Sequence, residues 1–356
     1  MKIISIEEHF RPKCFHEFLL SRTEAPRLEL IEDKDKNKVY REWYSEHTYI
    51  IQNDEVYAKN CDIGEKRLRV MDALGIDMQV LSSPGNEFLR YEPSVTRDLV
   101  EKTNEEIYQA ITTYPDRFLG FTSLALNNPD EAANELERTV TQLGFKGTMI
   151  TPTVLDEYID APKFMPLFER AAILDVPIYL HPGPSHPKSR HQFDGYPELA
   201  GAMWGFGMET GLSAMRLICS GIFDEYPDLK IILGHMGEAL PYWMARMDNR
   251  LLVLTEKKQT PYRANGDLLY TPLTATLKKL PSQYIKDNFY ITTSGVMWAP
   301  ALLCSLLALG AEKILFAVDY PFEDEKESIQ SIKEGPISES DKEKIFHLNA
   351  ERLFKI

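Results

Sequence analysis

Four apolar runs in this chain each end in a side chain able to bind a metal ion. Ile3-Ile4-Ser5-Ile6 leads into Glu7, Glu8 and His9, and Val176-Pro177-Ile178-Tyr179-Leu180 leads into His181. Ile231-Ile232-Leu233-Gly234 leads into His235, and Ile314-Leu315-Phe316-Ala317-Val318 into Asp319. Short apolar runs rich in Ile and Val read as buried strands, and a packed core does not collect ionisable groups at their ends, because each costs desolvation free energy. Side chains on a strand alternate faces, so Glu7 and His9 share one face and Glu8 takes the other. A fold in which these strand ends meet around one divalent ion accommodates all of them.

The rest of the chain supplies the alternation such a fold needs. Helices are predicted over residues 67–74 with Gly75 as C-terminal cap, 95–113, 129–143 with Pro129 at the first position, 163–174, 210–226, 238–254 and 299–309. Further strands are predicted over 77–82, 118–124, 145–150 and 288–293. A closing helix covers 341–354, with Ser340 and Glu343 at capping-box spacing. Ser83-Pro84-Gly85 reads as a turn, 182–209 as a long loop, and the stretch up to about residue 280 as a polar excursion. Eight strands alternating with helices predict an α/β protein, a (β/α)8 TIM barrel, with residues 1–356 as one domain. Residues 11–60 depart from the rhythm as an insertion after strand one: 27–41 is rich in charge, and Trp43, Tyr44, Tyr49, Ile50 and Ile51 follow. The insertion is expected to be a lid over the site, an interaction segment, or a solvated excursion covering the barrel.

Composition narrows the partners. A net charge of −14 argues against nucleic acid or an anionic membrane, since phosphate binding needs clustered Lys and Arg. Cys14, Cys61, Cys219 and Cys304 form no CxxC pair, which fits a reducing cytoplasm without disulfides. The first strand turns acidic at residue 7 and no long uninterrupted apolar run follows, so neither a signal peptide nor a membrane span is expected.

With these residues in view, the chain resembles the amidohydrolase superfamily. The carriers are Glu7-x-His9, His181 in PIYLHPG, His235 in LGHMGE, Asp319 in FAVDYPFE and the closing NAERLF at 349–354. More narrowly, EEHF at 7–10, RLRVMDALGID at 67–77, LPYWMARMDNR at 240–250 and DYPFE at 319–323 are similar to the metal-dependent decarboxylase branch that acts on γ-resorcylate, 2,3-dihydroxybenzoate and 5-carboxyvanillate. The resemblance implies Glu7, His9, His181 and Asp319 as ligands of one Zn or Mn ion, no organic cofactor, and a homodimer or homotetramer. It implies His235 as the active-site histidine, with Glu238 as its partner. Hydrolytic members commonly carry His-x-His on strand one and a carbamylated lysine at the end of strand four. Here Glu7 replaces the first histidine and Lys146 opens its strand, which favours a mononuclear site.

The implied reaction is loss of CO2 from an ortho-hydroxylated aromatic carboxylic acid, with Asp319 protonating the ring carbon and so suspending aromaticity before the carbon–carbon bond breaks. Arg246 is a candidate for holding a substrate anion, or equally for a helical ion pair. Trp298, Met297 and Phe322 follow strands seven and eight, and read as walls of an aromatic slot or as core. His186, Arg190 and His191 read as solvent-facing loop residues. The same barrel and ligands would serve a lactonase or amidase with Asp319 as general base, and a catalytically idle binding barrel is a third reading.

Overall fold

The computed structural model describes residues 1–52, 54–83, 87–255, 263–264, 267–268 and 277–356. The expected turn at Pro84-Gly85 and most of the polar excursion before residue 280 lie outside the described residues.

Eight parallel strands alternate with helices along the chain: β1 (Ile4–His9), β2 (Met78–Ser82), β3 (Phe118–Gly120), β4 (Thr148–Ile150), β5 (Ile178–Leu180), β6 (Ile231–Leu233), β7 (Phe289–Thr292) and β8 (Ile314–Leu315). They pair in chain order as two parallel sheets, β1 to β3 and β4 to β8. Two isolated bridges, Thr122 with Thr148 and Glu8 with Tyr320, join the sheets on both sides and close the barrel. At the second seam Ile6 N donates to Phe316 O at 3.2 Å, Asp319 N to Glu7 O at 3.1 Å and His9 N to Tyr320 O at 2.9 Å.

The barrel interior is filled by Ile4, Ile6, Val80, Phe121, Met149, Tyr179, Ile232 and Leu315, and its floor is closed by Leu353 and Phe354 of the last helix (Asn349–Phe354). The outward side chains pack against the helical shell; Ile178, Ile231, Phe289 and Ile314 belong to that second, larger core. Strict alternation from Ile4 and Ile6 would turn Glu7 and His9 outward. A register shift between Ser5 and Glu8 changes the phase of β1, as a β-bulge does. Glu7 therefore meets the interior Tyr179, while Glu8 turns to Ser5 and Gln79 in the layer under the helices. Arg67 on the first shell helix (Glu65–Leu74) is fully buried there, donates to His9 O at 2.6 Å and lies 4.2 Å from the Tyr320 ring centroid. It ties the ends of β1 and β8 to that helix.

Several expectations need correction. The last helix is not continuous from 341: it is a short helix (Glu339–Glu343), a π-turn (Lys344–Leu348) and the helix Asn349–Phe354. Its cap is Ser338, whose hydroxyl accepts from Asp341 N, rather than Ser340. A helix at Glu325–Lys333 was not anticipated; its polar sequence hides the buried Ile329 and Ile332. The insertion has its own structure, a helix (Lys13–Ser21), a three-stranded antiparallel sheet (Arg27–Glu32, Lys38–Ser45, Thr48–Gln52) and a second helix (Asp54–Asn60). No helix among the described residues is long and apolar enough to cross a membrane.

Candidate metal centre and active site

Glu7, His9, His181 and Asp319 converge at the C-terminal mouth of the barrel, with one ligand atom from each lying within 4.8 Å of all the others. Glu7 has no exposed surface; its Oε2 accepts from the Tyr179 hydroxyl and from Thr292 Oγ1 at 3.3 Å. His181 directs Nδ1 at Pro182 O, 2.8 Å away, which leaves Nε2 for the cluster, 3.4 Å from Glu7 Oε1. His9 directs Nδ1 at Ser82 Oγ, 3.1 Å away, and Nε2 at Asp319 Oδ1, also 3.1 Å. Orientation of one imidazole nitrogen by a hydrogen bond at the other is how metal-ligating histidines are held.

Glu7 Oε1, His9 Nε2 and Asp319 Oδ1 are buried and have no hydrogen-bond partner. Buried polar atoms left unmet are rare because each costs free energy. Facing one another, these three describe a cation site, and two carboxylates with two imidazoles suit Zn or Mn. Burial raises the Glu7 carboxyl above its ordinary value, against the charge of His235. Burial also pushes His181 down to about 3, so its imidazole is neutral, the form that ligates. Lys146 precedes β4 and its backbone N–H donates to Gly120 O at 2.9 Å, at the opposite end of the strand from the cluster.

His235 stands beside the cluster in a tight turn (His235–Glu238) in which His235, Met236 and Glu238 all have positive φ. Asp319 too has φ 76°. Non-glycine residues in this region are strained and collect at functional sites. Gly237 completes the turn at φ 78°, and a Cβ there would meet the Ile291 side chain at 2.7 Å. His235 Nδ1 lies 2.8 Å from Glu238 Oε1, and Nε2 lies 3.7 Å from Asp319 Oδ2 and 4.0 Å from Glu7 Oε1. Burial lowers His235, but the nearby Asp319 carboxylate and the hydrogen bond to Glu238 outweigh it and hold the imidazole well above its ordinary value. Burial would raise Asp319; the imidazoles of His235, His9 and His181 facing it outweigh this and hold its carboxyl well below the usual carboxylate range.

A cavity of about 940 Å³ opens over this centre. His181, His235, Glu238, Asp319 and Glu323 give its polar floor, and Met203, Trp204, Met215 and Trp243 much of its apolar wall. A smaller chamber of about 280 Å³ adjoins it, sharing His181 and Phe322 and lined by His9 as well. Phe322 therefore lies where the sequence places it, its ring centroid 6.0 Å from that of His9. Trp298 and Arg246 are exposed and line neither space, and Met297 lines neither. His186 is not a solvent-facing residue: it is buried, stacked on Tyr158 at 5.0 Å, and accepts from Lys188 N. Tyr179 and Thr292 were not anticipated. The signal for Tyr179 is its parity with His181, two residues on, which puts both on one strand face.

A barrel with a pre-formed mononuclear cation site at its C-terminal mouth defines a class of metal-dependent enzymes. Residues 39–356 match the amidohydrolase family, and the chain belongs to that family. It is 37% identical to the gamma-resorcylate decarboxylase of Polaromonas sp. (strain JS666) over 310 residues, 85% of this chain and 90% of that one. The crystal structure of a dihydroxybenzoic acid decarboxylase from Polaromonas sp. JS666, with bound manganese and the inhibitor 2-nitroresorcinol, superposes with a TM-score of 0.79 at 33% identity, covering 99% of this chain and 97% of that one. The 5-carboxyvanillate decarboxylase of Sphingomonas paucimobilis superposes with a TM-score of 0.83 at 31% identity, covering 100% and 99%.

Proposed function

We propose that this chain is a metal-dependent, non-oxidative carboxy-lyase that removes CO2 from ortho-hydroxylated aromatic carboxylic acids. The observation that carries the reading is the placement of His235, backed by Glu238, against Asp319 at the edge of a four-ligand cation site. The extensive identity to gamma-resorcylate decarboxylases supports it.

Glu7, His9, His181 and Asp319 would hold a Zn or Mn ion. When bound, such an ion supplies Lewis-acid polarisation of a carboxylate and its neighbouring phenolic oxygen and a template for both. The chain's own residues do the rest. The apolar wall excludes water from the ring and Phe322 bounds it on the β1 side. His235, across the 3.7 Å gap, passes its proton to the Asp319 carboxylate, and Asp319 delivers it to the carbon bearing the carboxylate. Glu238 keeps His235 in the protonated, correctly turned state. Cleavage of the carbon–carbon bond then restores the aromatic ring.

The test is isotopic. In heavy water, a 2-hydroxybenzoate should yield a phenol carrying one deuterium at the carbon that bore the carboxylate. Release of no CO2 from any such acid, together with opening of lactones or amides with oxygen taken from labelled water, would replace this reading with the hydrolase one.

The single domain over residues 1–356 and a cytoplasmic location belong to the same reading, as does a homodimer or homotetramer. In support of assembly, Met203, Trp204, Met208 and Leu212 at the cavity mouth, and Tyr242, are all about half exposed or more, and large exposed apolar side chains are typical of an interface. The insertion's exposed Tyr49 and Ile51 offer a second such patch. Arg246 and Trp298 line neither of the two spaces over the centre, so a substrate role for either would draw on this assembly.

A further inference from the structure

The two oxygens of Glu7 have different surroundings. Oε2 accepts from the Tyr179 hydroxyl on β5 and from Thr292 Oγ1 at the end of β7, the latter 3.3 Å away. Oε1 faces His181 Nε2 and has no hydrogen-bond partner. The hydroxyls continue into a chain. Thr292 Oγ1 lies 3.1 Å from the Tyr179 hydroxyl and 2.8 Å from Ser294 Oγ, and Ser294 Oγ accepts from His235 N at 3.2 Å. Glu7, Tyr179, Thr292 and Ser294 have no exposed surface. Each hydroxyl has one proton to give, and all can point one way: Ser294 to Thr292, then Thr292 and Tyr179 to Glu7. Gly234, just before His235, leaves room for this. A Cβ there would meet the Tyr179 hydroxyl at 3.1 Å and the two Glu7 oxygens at 3.5 and 3.6 Å.

Charge explains the choice of hydroxyls. Glu8, the next residue, turns away from the site and has the Arg67 guanidinium near it. A cationic group on Glu7 would neutralise the ligand and repel an incoming metal ion. Hydroxyls orient the carboxylate and leave its charge for the ion. At the far end of the chain, His235 opens a run in which His235, Met236, Gly237, Glu238 and Ala239 all have positive φ. L-residues adopt such a left-handed run only at a cost, so it needs support from outside, and the bond from His235 N to Ser294 supplies some. We infer that Tyr179, Thr292 and Ser294 are positioning residues that hold Glu7 as a single-oxygen metal ligand and tie it to the turn carrying His235. The inference rests on the metal-dependent reading above and deepens it: filling the cation site and placing His235 are coupled.

The experiment titrates manganese into chelator-stripped protein by calorimetry, a readout without turnover. Tyr179→Phe and Thr292→Val keep each side chain's shape and lose its hydroxyl. Each should weaken manganese binding by about 10–100-fold, the usual cost of removing a group that orients a ligand, while Thr292→Ser stays near the wild type. Gly234→Ala, which crowds the Tyr179 hydroxyl and Glu7, should weaken it too. Thr292→Val combined with Ser294→Ala should lose less than the product of the two single losses, since both belong to one network. Every variant is checked for a cooperative melt, and the Thr292 pair serves if Tyr179→Phe does not fold. The tie to His235 is read by hydrogen exchange. Saturating manganese should slow exchange of the peptide covering 231–239 in the wild type, and much less in Ser294→Ala. Undiminished affinity in Tyr179→Phe and Thr292→Val, or an equal loss in Thr292→Ser, overturns the hold on Glu7. Equal slowing in Ser294→Ala overturns the tie to His235. A wild type that binds no manganese removes the metal centre and this inference together. The expected losses in a protein that releases no CO2 remove only the decarboxylase reading.

Discussion

Glu238 Oε1 sits 2.8 Å from His235 Nδ1, while the other nitrogen of the same ring faces Asp319 Oδ2 at 3.7 Å. One imidazole is held between two carboxylates, hydrogen-bonded to the first and facing the second. Replacing Glu238 with Gln removes a charge that raises His235, so His235 loses its proton at lower pH. The alkaline limb of the pH–rate profile should move to lower pH in Glu238→Gln. His235→Asn should slow turnover by about 10²–10⁴-fold, the usual worth of a positioned acid–base group. Metal content, measured by mass spectrometry, should stay at the wild-type value in both variants, because neither residue belongs to the ligand set.

The cation site makes a different prediction. Four ligands around one point hold about one ion per chain. His181→Ala removes a ligand whose Nε2 is left free by the bond of its Nδ1 to Pro182 O. Metal content and activity should then fall together. Two ions per chain in the wild type, or a His181→Ala protein with full metal, would contradict the assignment.

Glu8 gives a pH-dependent stability. Burial raises its carboxyl to about 8, opposed by the hydrogen bond from Ser5. Between the ordinary value of 4.5 and 8 the folded chain therefore holds a proton that the unfolded chain has released. Stability must fall as pH rises through that window, by up to roughly 5 kcal/mol. In chelator-stripped protein, Glu8→Gln should leave the urea midpoint at pH 5 nearly unchanged and raise it at pH 8. A variant less stable at both values would show that the charged form is favoured in the fold.

The exposed apolar side chains at the mouth of the large cavity can be probed directly. Light scattering at micromolar concentration should give the mass of a dimer or tetramer, and Met208→Glu should shift it towards the monomer. A wild-type mass of one chain would remove the interface role.

Much of the barrel was readable because each strand is a short apolar run with its polar group at one end. The helix Pro129–Leu143 and the helix Ala299–Leu309 fall on their predicted bounds, where Pro stands at the first or second position and Gly follows. The strands themselves are shorter than their apolar runs: Ile314–Leu315 is paired, whereas Phe316 to Val318 is buried without a regular ladder. The convergence of Glu7, His9, His181 and Asp319 followed from parity and strand-end position, although the phase change in β1 that turns Glu7 inward leaves no mark in the sequence. Arg246 and Trp298 were chosen for chemistry and chain position, and neither property reports which way a helix or loop faces. The sheet in the insertion was concealed because its strands alternate charge with aromatics, as at Lys38–Ser45, and so read as a polar excursion.

The second barrel seam has one more consequence. Glu8 and Val318, hydrogen-bonded across it, are 310 positions apart in the chain. Glu7 and His9 lie on one side of that seam and Asp319 on the other, with a few main-chain hydrogen bonds between them. An ion gripped from both sides acts as a clasp on a hoop whose two ends are nearly the two ends of the polypeptide. It offsets the loop-closure entropy of almost the entire chain, so that amide exchange along β1 and β8 becomes a gauge of how much of the protein is loaded.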